Sequence, residues 1–409
     1  MGEICHISTQ TIKEYRSPRL MTHHPTSCLV PKPLKNESLN ILPTSRVDYV
    51  MGTFKVFEPL PNLLHTRASF VPMVEYETLV PEEITSVENA VNAMVASRLL
   101  GDFLKEPDLA RTISGRMGTG RFSFSVDTAD GRSHVIDVDG SQVSIDAGFE
   151  NESTVVILKA RNVIDDDFNV GQLYYPFKKL QCYVTKPIRL VFSQYTNMNY
   201  YLHEYRFKDA SRMSSIELVQ SQVFTLDDQR ISPSELWSIF EDTQVEYEDY
   251  ANDVRTPFIQ ADRFDRVISL LEYLSRSGPD WTEIDAVTTY MGTTRRQAQY
   301  YTAAGVYLEL FERKLGKVRI SDTGQHIARA RYRDRQLMLA RQLFKHRVFH
   351  NLFALSYDVG SIPEPRDIVP KLIELKVCNQ GDASTTVTRR ASTVASWMRW
   401  LMSVPDQDD

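Results

Sequence analysis

The hydrophobic period of this chain changes once, near Ala261, and that change limits the folds open to it. Upstream, several segments alternate apolar and polar side chains, the period of half-buried strands. Downstream, "ADRFDRVISLLEYLSRSG" sets Phe264, Val267, Ile268, Leu271 and Leu274 on one face at helical spacing, with Gly278 at its end. The chain is expected to be an α/β part built on a mixed sheet, followed by a mainly α part. Its 409 residues suffice for two or three domains with cores of their own.

Within the first part, residues 85–106 carry Val87, Val91, Met94, Val95 and Leu99 at helical spacing, with Thr85 or Ser86 as N-cap. "RMGTGRFSFSVDTADGRSHVIDVDGSQVSIDAG" alternates, and its Asp-Gly pairs at 130–131 and 139–140 signal hairpins. "TVVILKARN" (154–162) reads as a buried strand, and "VGQLYYPFKKLQ" follows an acidic turn. "KPIRLVFSQYTNMNYYLHEYRF" reads as two strands about a polar turn at 197–199. Residues 46–250 are expected to form one α/β domain. Residues 1–45, rich in Pro, Ser, Thr and His and lacking periodicity, are expected to be a poorly ordered arm.

After Ala261 the order is helix, helix, turn, helix, then a hairpin around Leu315 and Gly316. This is the winged-helix order, and it assigns residues 251–332 to such a domain. Residues 333–409 read as a second, divergent helix-turn-helix or winged-helix-like copy with an acidic tail. Charge divides in the same place. Residues 261–404 hold 22 Lys/Arg against 15 Asp/Glu, and residues 1–260 hold 25 against 35, within a net charge of −6. Such a split suggests a basic binding half joined to an acidic half with another task. The four cysteines form no metal-ligand spacing and fit a reducing compartment. No 18-residue apolar run occurs, so a cytoplasmic protein without a membrane anchor is expected.

Two patterns point to chemistry. In the strand at 154–162, Lys159 and Arg161 share a face with Val155 and Ile157, since strand side chains alternate. Two cations beside two core aliphatics call for an anion. Asp146 is the expected resting partner of both. In the helical part, the third helix of a helix-turn-helix unit enters the DNA major groove with its first turns. Those turns carry Thr293, Thr294, Arg295, Arg296, Gln297 and Gln299 in the first unit. In the second they carry Ser384, Thr385, Thr386, Thr388, Arg389, Arg390 and Ser392. Arg suits guanine, Gln suits adenine, and Ser or Thr suit phosphate. Lys314, Lys317 and Arg319 on the wing would meet the backbone. Winged helices also serve as protein-protein modules, but Arg-Arg with Thr at both helix starts favours double-stranded DNA.

Asp146 ends one strand, residues 148–153 turn, and the next strand delivers positions 159 and 161. With "DFNVGQLYYPF", the two strands after it and the paired helix-turn-helix tail, the chain over residues 45–402 resembles a group of type II restriction endonucleases. Those proteins join a PD-(D/E)XK nuclease domain to C-terminal winged helices. The resemblance implies metal-dependent phosphodiester hydrolysis with Mg²⁺, for which Mn²⁺ substitutes. It implies metal binding at Asp146 and a site that includes Gln172. It further implies sequence-specific cleavage of duplex DNA by a homodimer, since symmetric cutting needs two sites. The family strand typically ends Glu-Ala-Lys-Asn, whereas this chain has Lys159-Ala160-Arg161-Asn162. One reading is that a carboxylate has moved, to Glu150 or Glu152 or to Asp165, Asp166 or Asp167. Alternatively Lys159 and Arg161 clamp phosphate around Asp146, or the core is an inactive relic in a DNA-binding regulator or scaffold. The expected catalytic set is Asp146, Lys159, Arg161, Glu150 and Gln172, with Asp146 and Glu150 as metal ligands.

Overall fold

A computed structural model of the chain describes residues 4–15, 17–63, 66–74, 76–227, 230–246, 258–377 and 384–405. The chain divides into two compact units. The first comprises Met1–Val74, Ser86–Tyr195 and Asn199–Phe224, and the second Glu75–Thr85, Thr196–Met198 and Thr225–Asp409.

The first unit is built on a seven-stranded mixed sheet. From edge to edge its strands are Ser69–Phe70, Ile216–Thr225, Asn199–Phe207, Ile188–Thr196, Val155–Arg161, Gln142–Glu150 and Ala110–Gly118. Val155–Arg161 lies at the change of direction. It runs antiparallel to Gln142–Glu150 and parallel to Ile188–Thr196. A parallel neighbour requires a crossover, supplied by the helix Gly171–Gln181. That helix packs Leu173 and Leu180 on Val155, Ile157, Leu190 and Phe192. Tyr174 and Tyr175 enter a second cluster with Phe124 and Val126, and their hydroxyls donate to the carbonyls of Ala210 and Pro43. The first Asp-Gly pair turns Arg121–Asp127 into Ser133–Asp139, with Gly131 at φ +83°. The expected helix at 85–106 is two, Val87–Ala96 capped by Ser86 and Leu99–Leu104, broken where Arg98 takes φ +58°.

The segment expected to be a poorly ordered arm is packed. Cys5–Ser8 and Asn40–Pro43 flank Asp48–Gly52 in a three-stranded antiparallel sheet, and Ile12, Ile41 and Leu42 are buried. Its elements are three to five residues long, too short for a period to appear, and its strands are stabilised by non-local pairing.

The second unit contains the expected order. Helices Phe264–Ser277, Ile284–Met291 and Arg295–Tyr307 precede the paired strands Phe311–Lys314 and Lys317–Ile320, with Thr282–Glu283 as a third short strand. The domain boundaries differ from expectation. One core runs from Leu236 and Phe240 through the three helices and the hairpin to Val394, Trp397 and Leu401. Residues 251–332 and 333–409 therefore share a core, and the helix Pro233–Asp242, expected in the α/β domain, belongs to it. Beyond 333 the described residues form helices only, so the hairpin of a second winged-helix copy is not among them. Glu272 and Arg335 form a buried pair at 2.8 Å in this core, and burial pushes the Glu272 carboxyl up. No helix among the described residues is long and apolar enough to cross a membrane.

Candidate functional site

Val155 and Ile157 hold one face of their strand in the core, and Lys159 and Arg161 continue that face past it. Backbone pairing with Gln142–Glu150 runs from Val155 opposite Glu150 to Leu158 opposite Ala147, where it stops. The side chain of Asp146 takes over. Its Oδ2 accepts the Ala160 backbone N–H at 2.9 Å, and Lys159 Nζ lies 2.9 Å from Oδ2 and 3.1 Å from Oδ1. On the other side, the register with Ala110–Gly118 slips around Ile113. Continued by one residue, the register with Val155–Arg161 sets Asp146 opposite Lys159, so the carboxylate and the ammonium meet as a cross-strand pair. Asp146 and Lys159 are both about four-fifths buried, at 18% and 19% side-chain exposure.

Arg161 does not share that partner. Its Nε lies 3.2 Å from Asp165 Oδ2, a carboxylate only 1% exposed and four residues on. The turn after the strand folds back far enough to offer its own acid. A third cation, Arg111 on the edge strand, was not anticipated. Its guanidinium binds both oxygens of Glu88 at 2.7 and 3.1 Å and donates to the Asp146 carbonyl at 3.3 Å. This bond holds the Glu88 carboxyl below the usual carboxylate range. Glu88 sits in the first turn of a capped helix and Arg111 is 23 residues away. Only the helix N-cap signal lay in the sequence, and nothing there joined the pair.

Two expected members stand apart. Glu150 shares a strand with Asp146 but is four residues along it, about 13 Å at strand rise. It is bridged to Lys186 at 2.6 Å. Gln172 donates its side-chain amide to the Pro25 carbonyl at 2.9 Å. That bond belongs to a clamp in which Asn169 donates to His24 O and Asp167 accepts from the Ser27 backbone at 2.8 Å. Asp167 is thus engaged as well.

A Mg²⁺ or Mn²⁺ site needs convergent oxygen ligands, usually more than one carboxylate. At this strand end three carboxylates meet three cations: Asp146 with Lys159, Asp165 with Arg161, Glu88 with Arg111. The ammonium lies on both oxygens of Asp146, where it would repel a divalent ion. Among the described residues no group of three or more His, Cys, Asp or Glu is placed to hold a metal. The residues present do not fit the implied ion.

The helix Arg295–Tyr307 sorts the expected DNA contacts by exposure. Thr293 is fully buried and donates to Gln297 Oε1 at 2.7 Å. Thr294 and Gln297 form a capping box, so the Gln297 carbonyl oxygen is engaged in the helix start. Arg295, Arg296 and Gln299 are exposed. Arg295 pairs with Asp285, and Arg296 stacks over Tyr300 at 5.5 Å. On the hairpin expected to be the wing, Lys314 and Lys317 are exposed, with Lys317 2.8 Å from Glu283. Arg319 lies over Trp281 at 4.7 Å and pairs with Glu312. In the tail helix Ser384–Met402, the side chains of Ser384 and Thr385 lie outside the described residues. Thr386 is half-buried, while Thr388, Arg389 and Ser392 are exposed. Arg390 is half-buried and donates to the Val377 carbonyl at 3.2 Å, a tie within the fold.

Three family models match the chain, each described as a domain of unknown function. Residues 2–51 match DUF6996, residues 52–225 match DUF6997 and residues 266–406 match DUF7226. No curated protein and no solved structure matches it. The second of these matches spans the charged strand end, and the third spans most of the helical part.

Proposed function

We propose that this chain is a DNA-binding protein that engages duplex DNA through its winged helix and carries a nuclease-like core that does not cleave. The observation that carries this reading is the saturated ion-pair cluster at the sheet end. There the Lys159 ammonium occupies Asp146, and each neighbouring carboxylate has its own cation. The DNA-binding half of the reading is supported by Arg295, Arg296 and Gln299 exposed at the start of one helix, beside a lysine-bearing wing. Arg and Gln at that place address base edges, and wing lysines address phosphates. A two-fold pair of chains would present two such helices to a palindromic site.

The test is a gel-shift titration on mixed-sequence and selected duplexes in EDTA, repeated over a range of salt. Binding without a divalent ion, weakening steeply with salt and tighter on selected duplex, is the expected outcome. Absence of any shift would remove the reading. A second reading, an active sequence-specific endonuclease of the restriction type, draws on Asp146 at the strand end and on Glu88, which shares Arg111 with the Asp146 carbonyl. It requires the Glu88–Arg111 and Asp146–Lys159 pairs to open, and discrete digestion fragments would establish it.

A further inference from the structure

The tip of the wing departs from three local rules at once. Leu315 and Gly316 form a two-residue turn in which both take positive φ, +48° and +78°. That geometry favours Asn-Gly or Asp-Gly, and a leucine at its first position is strained. Leu315 is also 91% exposed, the most exposed large hydrophobic side chain among the described residues. On either side of it, Lys314 stands directly opposite Lys317, a like-charge cross-strand pair that weakens a hairpin. Glu283 offsets Lys317, while Lys314 has no ion-pair partner among the described residues. Asn at 315 and an acid at 314 would relieve all three. Local conflict that persists in an otherwise consistent fold marks a place shaped by what it binds.

The ligand such a tip suits has two anionic walls and an apolar slot between them. The minor groove of duplex DNA is of this kind. It is about 6 Å wide, phosphate-lined at its edges, and admits apolar wedges between base steps. Opposed lysines have Cβ atoms about 5 Å apart, which lets one ammonium reach each wall. We propose that the wing inserts Leu315 into the minor groove, with Lys314 and Lys317 astride it on the phosphates. This rests on the reading that the winged helix binds DNA. It adds the groove, the contacting residue and a deformation of the duplex.

Leu315→Asn in the full chain tests it, because the variant separates folding from binding. Asn fits the turn better than Leu, so the melting midpoint should rise or hold. Affinity for a mixed-sequence duplex in EDTA should fall about tenfold. Duplex carrying 2-aminopurine should brighten when wild type binds and stay dim with the variant, since only a wedge unstacks the base. Unchanged affinity and equal brightening would overturn the inference while leaving DNA binding intact. A lower melting midpoint would overturn it by removing the strain premise. If the variant instead sediments as a smaller species than wild type, the tip packs on a second copy and the inference is wrong. Failure of wild type to bind any duplex overturns both this inference and the DNA-binding reading.

Discussion

Replacing Asp146 with alanine separates a structural ion pair from a poised catalytic site by the sign of one number. In the structure Asp146 holds two groups: the Lys159 ammonium and the Ala160 backbone N–H. Loss of a hydrogen bond to a charged group costs about 1.5–3 kcal/mol, and a buried donor left without acceptor costs about 1–3 kcal/mol. Lys159 keeps 19% exposure and can turn its head toward water, which trims the sum to about 3 kcal/mol. For a unit of this size that is a fall of about 6–12 °C in melting midpoint. Asp146→Asn retains an oxygen for the Ala160 N–H and should lose about half as much. Urea or thermal unfolding of both variants against wild type provides the measurement. A catalytic carboxylate held ready for a metal behaves oppositely, since its removal relieves strain and stabilises the apo fold. An Asp146→Ala variant as stable as wild type, or more so, would refute the reasoning.

Burial depresses the His203 imidazole to about 4, with its Nδ1 2.9 Å from Ser221 Oγ. A depressed folded value means the contribution is present above the unfolded value of 6.5 and is lost as pH falls toward 4. Stability should decline over that window, and the decline should flatten in His203→Gln, as chemical denaturation at stepped pH would show. Arg296 and Arg390 should part company. Arg296→Ala should lower DNA affinity or relax preference at one base position by about 1–3 kcal/mol, with an unchanged melting midpoint. Arg390→Ala should lower the midpoint, because it releases the Val377 carbonyl. Gel shifts and melting curves on the two proteins decide between these outcomes.

Much of the helical part was legible because its signals are local. The apolar stripe at Phe264, Val267, Ile268 and Leu271 gives a helix, and Leu315 with Gly316 gives a hairpin, whatever surrounds them. The strand at Lys159 was legible for the same reason, and its alternation placed both cations on one face. The expected partner, Asp146, holds for Lys159 but not for Arg161, since partnership depends on backbone path. Asp146 lies opposite Lys159 in the strand register, whereas Asp165 reaches Arg161 through a turn and Glu88 meets Arg111 across two elements distant in sequence. Thr293 and Gln297 carry the right chemistry for DNA, but one faces the core and the other closes a helix cap. The shared core of the two helical segments was hidden likewise, because each has an apolar face that would suit a separate domain equally well.

The central claim is that this chain holds duplex DNA without cutting it. The direct measurement is to incubate wild type with supercoiled plasmid in Mg²⁺ and, separately, in Mn²⁺. Each sample is divided, one half run natively and the other after protein removal. The account predicts retarded plasmid in the native lanes and fully supercoiled, unnicked plasmid after deproteinisation with either ion. Nicked circles, linear plasmid or discrete fragments that depend on the added metal would contradict it.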